Sequence, residues 1–210
     1  MIPTPSAVLV WTVATYLIAS LPFSVWIGRL VFGVNIRNYG DGNPGATNVY
    51  RASGSRFWYI VAILLDGHKG LLPVGIAYWI LGWRGIEIVP LAWAAIMGHA
   101  FSIFLNFQGG KAVAITGGVW IGLTLLEMPI VMSVLLVYWY RSVKESNWAV
   151  ILWLLSVGLY LLLAHPTNTA YLLVWLGNFL IVLYRHRGGL NHLPTIKRWL
   201  PLLPKNGQTG

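Results

Sequence analysis

The sequence contains no cysteine and only five acidic residues, set against fourteen lysines and arginines. The first absence removes disulfides, thiol nucleophiles and thiolate metal sites. The second, together with five scattered histidines, leaves no grouping dense enough for a typical metal-ligand set. Neither a metal nor any other cofactor is therefore expected. Charged residues amount to only 9%, where a soluble domain carries about 25%. There is no Gly-x-Ser-x-Gly, and Ser102 near His99 reads as packing or turn chemistry, so a Ser-His-Asp triad is unsupported. No basic domain or arm accompanies the net charge of +9. That charge reads as the inside anchors of a membrane protein, with no nucleic-acid partner.

What is present is apolar. Hydrophobic residues make up 57% of the 210, and the twelve tryptophans and ten tyrosines suit membrane–water interfaces. The length fits one domain, 1–210, read as an all-α integral membrane bundle. Crossing lipid takes about 20 apolar residues, because backbone polar groups cannot be left unpaired in hydrocarbon. Stretches at about 5–28, 57–81, 86–106, 147–164 and 168–185 are candidates, the last two divided by the turn signal His165-Pro166-Thr167-Asn168. The first has no basic leader or clear cleavage site and is read as a retained helix. Residues 112–140 as one straight helix would be about 44 Å long, too long for a hydrocarbon core of about 30 Å. Split at Glu127-Met128-Pro129, they become two spans, 112–127 and 129–140. Charge decides between these. Seven spans, with the N-terminus outside and the C-terminus cytoplasmic, put Arg29, Arg37, Arg51, Arg56, Lys111, Arg141, Lys144, Arg185, Arg187, Lys197, Arg198 and Lys205 on the inside and only Arg84 outside. The tail, 186–210, is short, basic and proline-broken, with at most an interfacial helix around Pro194–Leu200.

Within this background the segment Asn38–Arg51 is polar and punctuated by glycine. Gly42 and Gly45 allow sharp bends and close backbone approach to a ligand. Asn43, Thr47 and Asn48 offer neutral hydrogen-bonding groups, and Arg51 a fork of donors suited to phosphate. Gly98-His99 through Gly109-Gly110-Lys111 forms a second polar segment. Its flexible backbone and ammonium stand at a helix start, where the dipole favours an anion. It is not a Walker loop, since neither the spacing nor the following Ser/Thr is present. Tyr184-Arg185-His186-Arg187 is the third. On the seven-span topology all three fall on the cytoplasmic side. Asp66 and Lys69 share one face of a span, where ionisable groups are costly and mark either function or a structural ion pair. His68 and His165 read as bland.

Together these segments resemble the bacterial membrane acyl-phosphate:glycerol-3-phosphate acyltransferases, small seven-span enzymes, over nearly the whole chain. The resemblance rests on Ser20-Leu21-Pro22 with Gly28-Arg29, on Ile36-Arg37 and on Gly42-Asn43 with Gly45-Ala46-Thr47-Asn48 to Arg51 and Gly54. It continues through Asp66, Lys69-Gly70, Gly98-His99, Phe107 with Gly109-Gly110-Lys111-Ala112-Val113-Ala114, and Tyr184-Arg185-His186-Arg187. It implies transfer of a fatty acyl group from acyl phosphate to glycerol 3-phosphate at the cytoplasmic face of the inner membrane, by a monomer in contact with membrane lipid. Arg51 and Lys111 would hold phosphate, with Arg37, His99 and the four loop glycines assisting. Asn43, Thr47 and Asn48 would orient the substrates, and His186 matches the family's functional histidine. Two positions depart from the pattern. Asp41 stands where the family has serine, and is open to three readings: general base, acceptor-specificity residue or loop cap. Gly188-Gly189 replace a stretch that carries an asparagine. A non-enzymatic anion transporter or lipid-binding protein is the alternative, but transporters place their polar groups at the midplane of paired repeats. The polar segments here gather at one face.

Overall fold

Residues 3–197 are described by a computed structural model. Arg198, Lys205 and the end of the interfacial helix expected at Pro194–Leu200 lie outside the described residues. The described chain is all-helical apart from one antiparallel bridge, Val143 to Ile196. Its α-helices are α1 (Pro5–Ser20), α2 (Phe23–Phe32), α3 (Ala46–Ser53), α4 (Arg56–Gly75), α5 (Val89–Ala100), α6 (Val113–Thr124), α7 (Glu127–Ser142), α8 (Ser146–Ala164) and α9 (Thr169–His186). Among the described residues, four stretches are long and apolar enough to cross a membrane: Pro5–Phe32, Arg56–Ile80, Ile86–Leu105 and Ser146–Ala164.

Three boundaries differ from the sequence reading, each for a local reason. The first helix is interrupted at Leu21-Pro22. Proline lacks an N–H and pushes the residue before it out of the helical region, and Leu21 has ψ 122°. The expected span 5–28 is thus α1 followed by α2, which runs on to Phe32. The expected third span ends as regular helix at Ala100, where Phe101 turns to φ −131°. The break in 112–140 falls at Leu125-Leu126, not at Glu127–Pro129. An acidic residue and a proline both suit the first turn of a helix, so Glu127 and Pro129 open α7. Thr124 Oγ1 accepts the Met128 N–H at 3.2 Å to tie the corner.

Helices α4 and α6 meet along a seam of glycines. Small residues let two backbones approach closely in lipid, where packing replaces the hydrophobic drive. A methyl group at Gly118 would run into the Gly67 carbonyl, and one at Gly70 would come within 2.9 Å of the Ile115 carbonyl. The seam connects the middle of the bundle to its two ends. At one end Tyr78, after α4, meets Tyr171 of α9 hydroxyl to hydroxyl at 3.0 Å. At the other, the segment before α6 meets the loop after α2 and the last turn of α9. Replacing Gly118 by Val is expected to lower stability in detergent by about 1–3 kcal/mol through overpacking. Gly117→Ala, where a methyl meets nothing within 4 Å, should leave the melting midpoint unchanged or raised.

Candidate active site

The loop between α2 and α3 is tied by a buried asparagine. Asn48 is fully buried. It donates from Nδ2 to the Asn43 carbonyl at 2.9 Å and to Asp41 Oδ1 at 3.1 Å, and accepts from Arg51 at 3.0 Å. Gly40 must be glycine: its φ is +57°, and a side chain would collide with Arg51 and Asn48. Asn48 and Arg51 therefore shape the loop from behind, and Thr47 is exposed outside it. Asn43 Oδ1 is buried and has no hydrogen-bond partner among the described residues.

The segment before α6 is held in three directions. The Gly110 N–H donates to the His99 carbonyl at 2.9 Å. Arg185 donates from Nε to the Gly110 carbonyl at 3.1 Å and from Nη2 to the Gly109 carbonyl. Arg37 donates to Gln108 at 2.9 Å. Around this segment Asn106, Phe107 and Ala112 have φ of 51°, 60° and 63°. Non-glycine residues rarely adopt that region, and such strain gathers at functional sites.

His99 lies beneath this segment and not in the open space above it. Its ring packs against Gly110, where a methyl group would overlap it. Its Nδ1 lies 3.2 Å from Lys69 Nζ. An ammonium has only donors, so Nδ1 accepts and His99 is the neutral Nε2–H tautomer. Lys69 spends its other two protons on Asp66 Oδ1 at 2.9 Å and on the Leu21 carbonyl at 2.8 Å. That carbonyl is one freed by the helix break. Ser24 donates to Asp66 Oδ2 at 2.8 Å.

These segments enclose an open cleft of about 440 Å³, lined by Arg37, Asp41, Gly42, Asn43, Gly109 and Lys111 among the expected residues. Gly45, Gly110, Thr47, Asn48, Arg51, His99 and His186 do not line it. Pro44, Gln108, Tyr184, Arg185, Arg187 and Gly188 line the cleft as well; all but Gly188 belong to the polar segments expected on the cytoplasmic side, but none was an expected site residue. In Tyr184–Arg187 the sequence reading singled out the histidine, but His186 is 3% exposed and bonds Val182 O at 2.8 Å, while the flanking arginines face the cleft. Asn147 was also missed: it accepts from Lys111 at 3.3 Å, and its amide fills the space a side chain at Gly189 would need.

Asp41 is the carboxylate that lines the cleft. Its Oδ2 pairs with Lys111 Nζ at 2.9 Å, and its Oδ1 accepts the Asn43 N–H at 3.3 Å and lies 3.6 Å from Arg51. Partial burial pushes its carboxyl up. The hydrogen bond and charge of Lys111 and the N–H groups of Asn43 and Asn48 together outweigh that, and hold it below the usual carboxylate value. The pair is therefore intact at neutral pH and is lost only as pH falls through that lowered value.

Residues 9–195 match the family model described as glycerol-3-phosphate acyltransferase. The chain belongs to the glycerol-3-phosphate acyltransferase family. It is 44% identical over 119 residues to a glycerol-3-phosphate acyltransferase of Anaeromyxobacter sp. (strain Fw109-5), an alignment spanning 55% of this chain and only 58% of that relative's length. A relative of the same description from Streptococcus pyogenes serotype M5 (strain Manfredo) is 31% identical over 192 residues, 88% of this chain and 89% of its own. Among solved structures, the chain is similar to PlsY (YgiH), described as an integral membrane glycerol 3-phosphate acyltransferase. Its glycerol 3-phosphate form superposes with a TM-score of 0.80 at 29% identity, covering 88% of this chain and 90% of that one. Its lysophosphatidic acid form gives 0.77 at 26%, with the same coverage.

In this family member the buried ion pair is a structural dependency of the cleft. Lys69→Met leaves the Asp66 carboxylate buried without its cation. Removing one partner of such a pair costs about 3–5 kcal/mol, to be read as a lowered melting midpoint in detergent. Adding Asp66→Asn to Lys69→Met should recover part of that loss.

Proposed function

We propose that the protein transfers a fatty acyl group from acyl phosphate to the hydroxyl of glycerol 3-phosphate, giving lysophosphatidic acid and phosphate, the first step of phospholipid synthesis. The observation that carries this is the cleft itself. Arg37, Lys111, Arg185 and Arg187 line it with one carboxylate, and it lies within a chain of this family. That charge balance suits two phosphate-bearing substrates.

An acyl phosphate is already activated, so no covalent enzyme intermediate is required. The acceptor oxygen bonds to the acyl carbon, the bond from that carbon to the phosphate oxygen breaks, and the hydroxyl proton passes to the departing phosphate. Catalysis then consists of positioning and of stabilising the developing oxyanion and phosphate. Lys111 serves as a point charge for phosphate. Asn43, which lines the cleft, orients the acceptor. Gly42, Gly45, Gly109 and Gly110 keep backbone close to the ligands. Asn48, Thr47 and Arg51 shape the loop, while His99 and His186 support the cleft from beneath.

In this reading the whole chain is one membrane domain, acting as a monomer, with seven spans: α1 with α2, then α4 through α9. Successive spans alternate in direction, which brings the cleft-forming segments to one end. Positive charge supports the orientation. Arg29, Arg37, Arg51, Arg56, Lys111, Arg141, Lys144, Arg185, Arg187 and Lys197 belong to the segments at the cleft end, and Arg84 to the opposite end. The cleft thus faces the cytoplasm, with the N-terminus outside the inner membrane.

The test is phosphate release from palmitoyl phosphate by protein purified in detergent. Release should require glycerol 3-phosphate, and Lys111→Ala should reduce kcat/KM by about 10²–10³, the scale for loss of a group that stabilises transition-state charge. Release independent of acceptor, or no release across a panel of polyol phosphates, overturns the assignment. Uptake of labelled glycerol 3-phosphate into sealed proteoliposomes would favour a transporter instead.

A further inference from the structure

We infer that the Asp41 carboxylate is a built-in competitor for the phosphate seat at Lys111, displaced when an anionic acceptor binds, and that it thereby sets the acceptor's affinity. The inference rests on the acyl-transfer reading for the identity of the acceptor, but its geometry stands apart from that reading.

Four cations line the cleft, and three donate to uncharged protein oxygens alone. Arg37 is bound to Gln108, Arg185 to the Gly109 and Gly110 carbonyls, and Arg187 to the Tyr184 carbonyl at 2.6 Å. Lys111 differs. Apart from a 3.3 Å contact with the Asn147 amide oxygen, its partner is Asp41. Asp41 is also the single carboxylate among the lining residues. Its oxygens meet an ammonium, a backbone N–H and a side-chain amide N–H, with a guanidinium close by. These are the donors that bind a phosphate oxygen. The carboxylate therefore stands where an incoming anion would bind.

The pair is also built to exchange. The two side chains are 44% and 30% exposed, and ion pairs open to water hold weakly. The Oδ1 contacts to Asn43 and Asn48 tether the side chain to its loop while Oδ2 releases Lys111. A phosphate dianion brings more charge and more acceptor oxygens than a carboxylate, so it wins Lys111 at a cost in affinity. The general-base reading is disfavoured, because a carboxylate held to an ammonium is a weak proton acceptor. The loop-cap reading accounts for Oδ1 and leaves Oδ2 on Lys111 unexplained.

Asp41→Asn separates these. It keeps a side-chain oxygen to accept the Asn43 N–H and removes the charge facing Lys111. Full-length wild type, Asp41→Asn and Asp41→Ser are titrated calorimetrically with inorganic phosphate in detergent, then assayed with palmitoyl phosphate and glycerol 3-phosphate. Both variants should bind phosphate about tenfold more tightly, and KM for glycerol 3-phosphate should fall by a similar factor. KM for palmitoyl phosphate should change less. Unchanged or weaker phosphate binding in folded variants overturns the inference, as does loss of folding in both, which would make Asp41 a structural cap. If no protein turns over while the variants still bind phosphate more tightly, the acyl-transfer reading fails and the competition stands.

Discussion

The ammonium of Lys69 is the point on which the cleft's architecture depends. A buried charge costs several kcal/mol unless its surroundings replace water, and here every proton is placed: on Asp66, on the Leu21 carbonyl and on His99. Each contact joins a different piece of chain. Asp66 anchors it within α4, Leu21 brings in the broken corner between α1 and α2, and His99 brings in α5. His99 then supports Gly110, whose N–H bonds its carbonyl and whose missing side chain leaves room for its ring. One side chain buried in the bundle thereby fixes the height of the segment that carries Lys111.

Above that hub, polar residues divide into those that build and those that face the substrate space. Asn48 and Arg51 spend their groups on the opening loop, and Arg185 spends much of its fork on two glycine carbonyls. A guanidinium bonded to backbone remains charged. It therefore contributes field to the cleft without moving, which is what preorganised stabilisation requires. Lys111, on a flexible stem, is the cation of the set whose main partner is a carboxylate open to water. The cleft combines a fixed positive wall with one exchangeable contact.

The sequence made the apolar helices legible because lipid demands long uninterrupted runs, and it made the three polar segments legible because they interrupt those runs. Asp66 with Lys69 was readable from helical spacing alone. The corner at Pro22 was not, because apolar residues continue on both sides of it and the carbonyl at it takes one hydrogen bond locally, from the Phe23 N–H, and its other from Lys69 in α4, far along the chain. Pro129 misled in the opposite sense: proline marks a break, yet in a first helical turn it follows the break instead of making it. In Tyr184–Arg187 the relevant unknown was rotation. Neighbouring residues on a helix point about 100° apart, so composition could not say that the arginines and not His186 turn toward the cleft. Asn147 gave no signal at all, since its role arises from a contact across the bundle.

The glycine seam between α4 and α6 has a consequence for any fatty chain that enters from the bilayer. Where two backbones touch along their length, no fissure opens to the surrounding hydrocarbon. Gly67 against Gly118, Gly70 against Ile115 and Gly75 against Gly122 leave less than the width of a methyl group in places, so an acyl tail cannot slide sideways between these helices. Any lateral doorway from the bilayer to the cleft must open between other helix pairs.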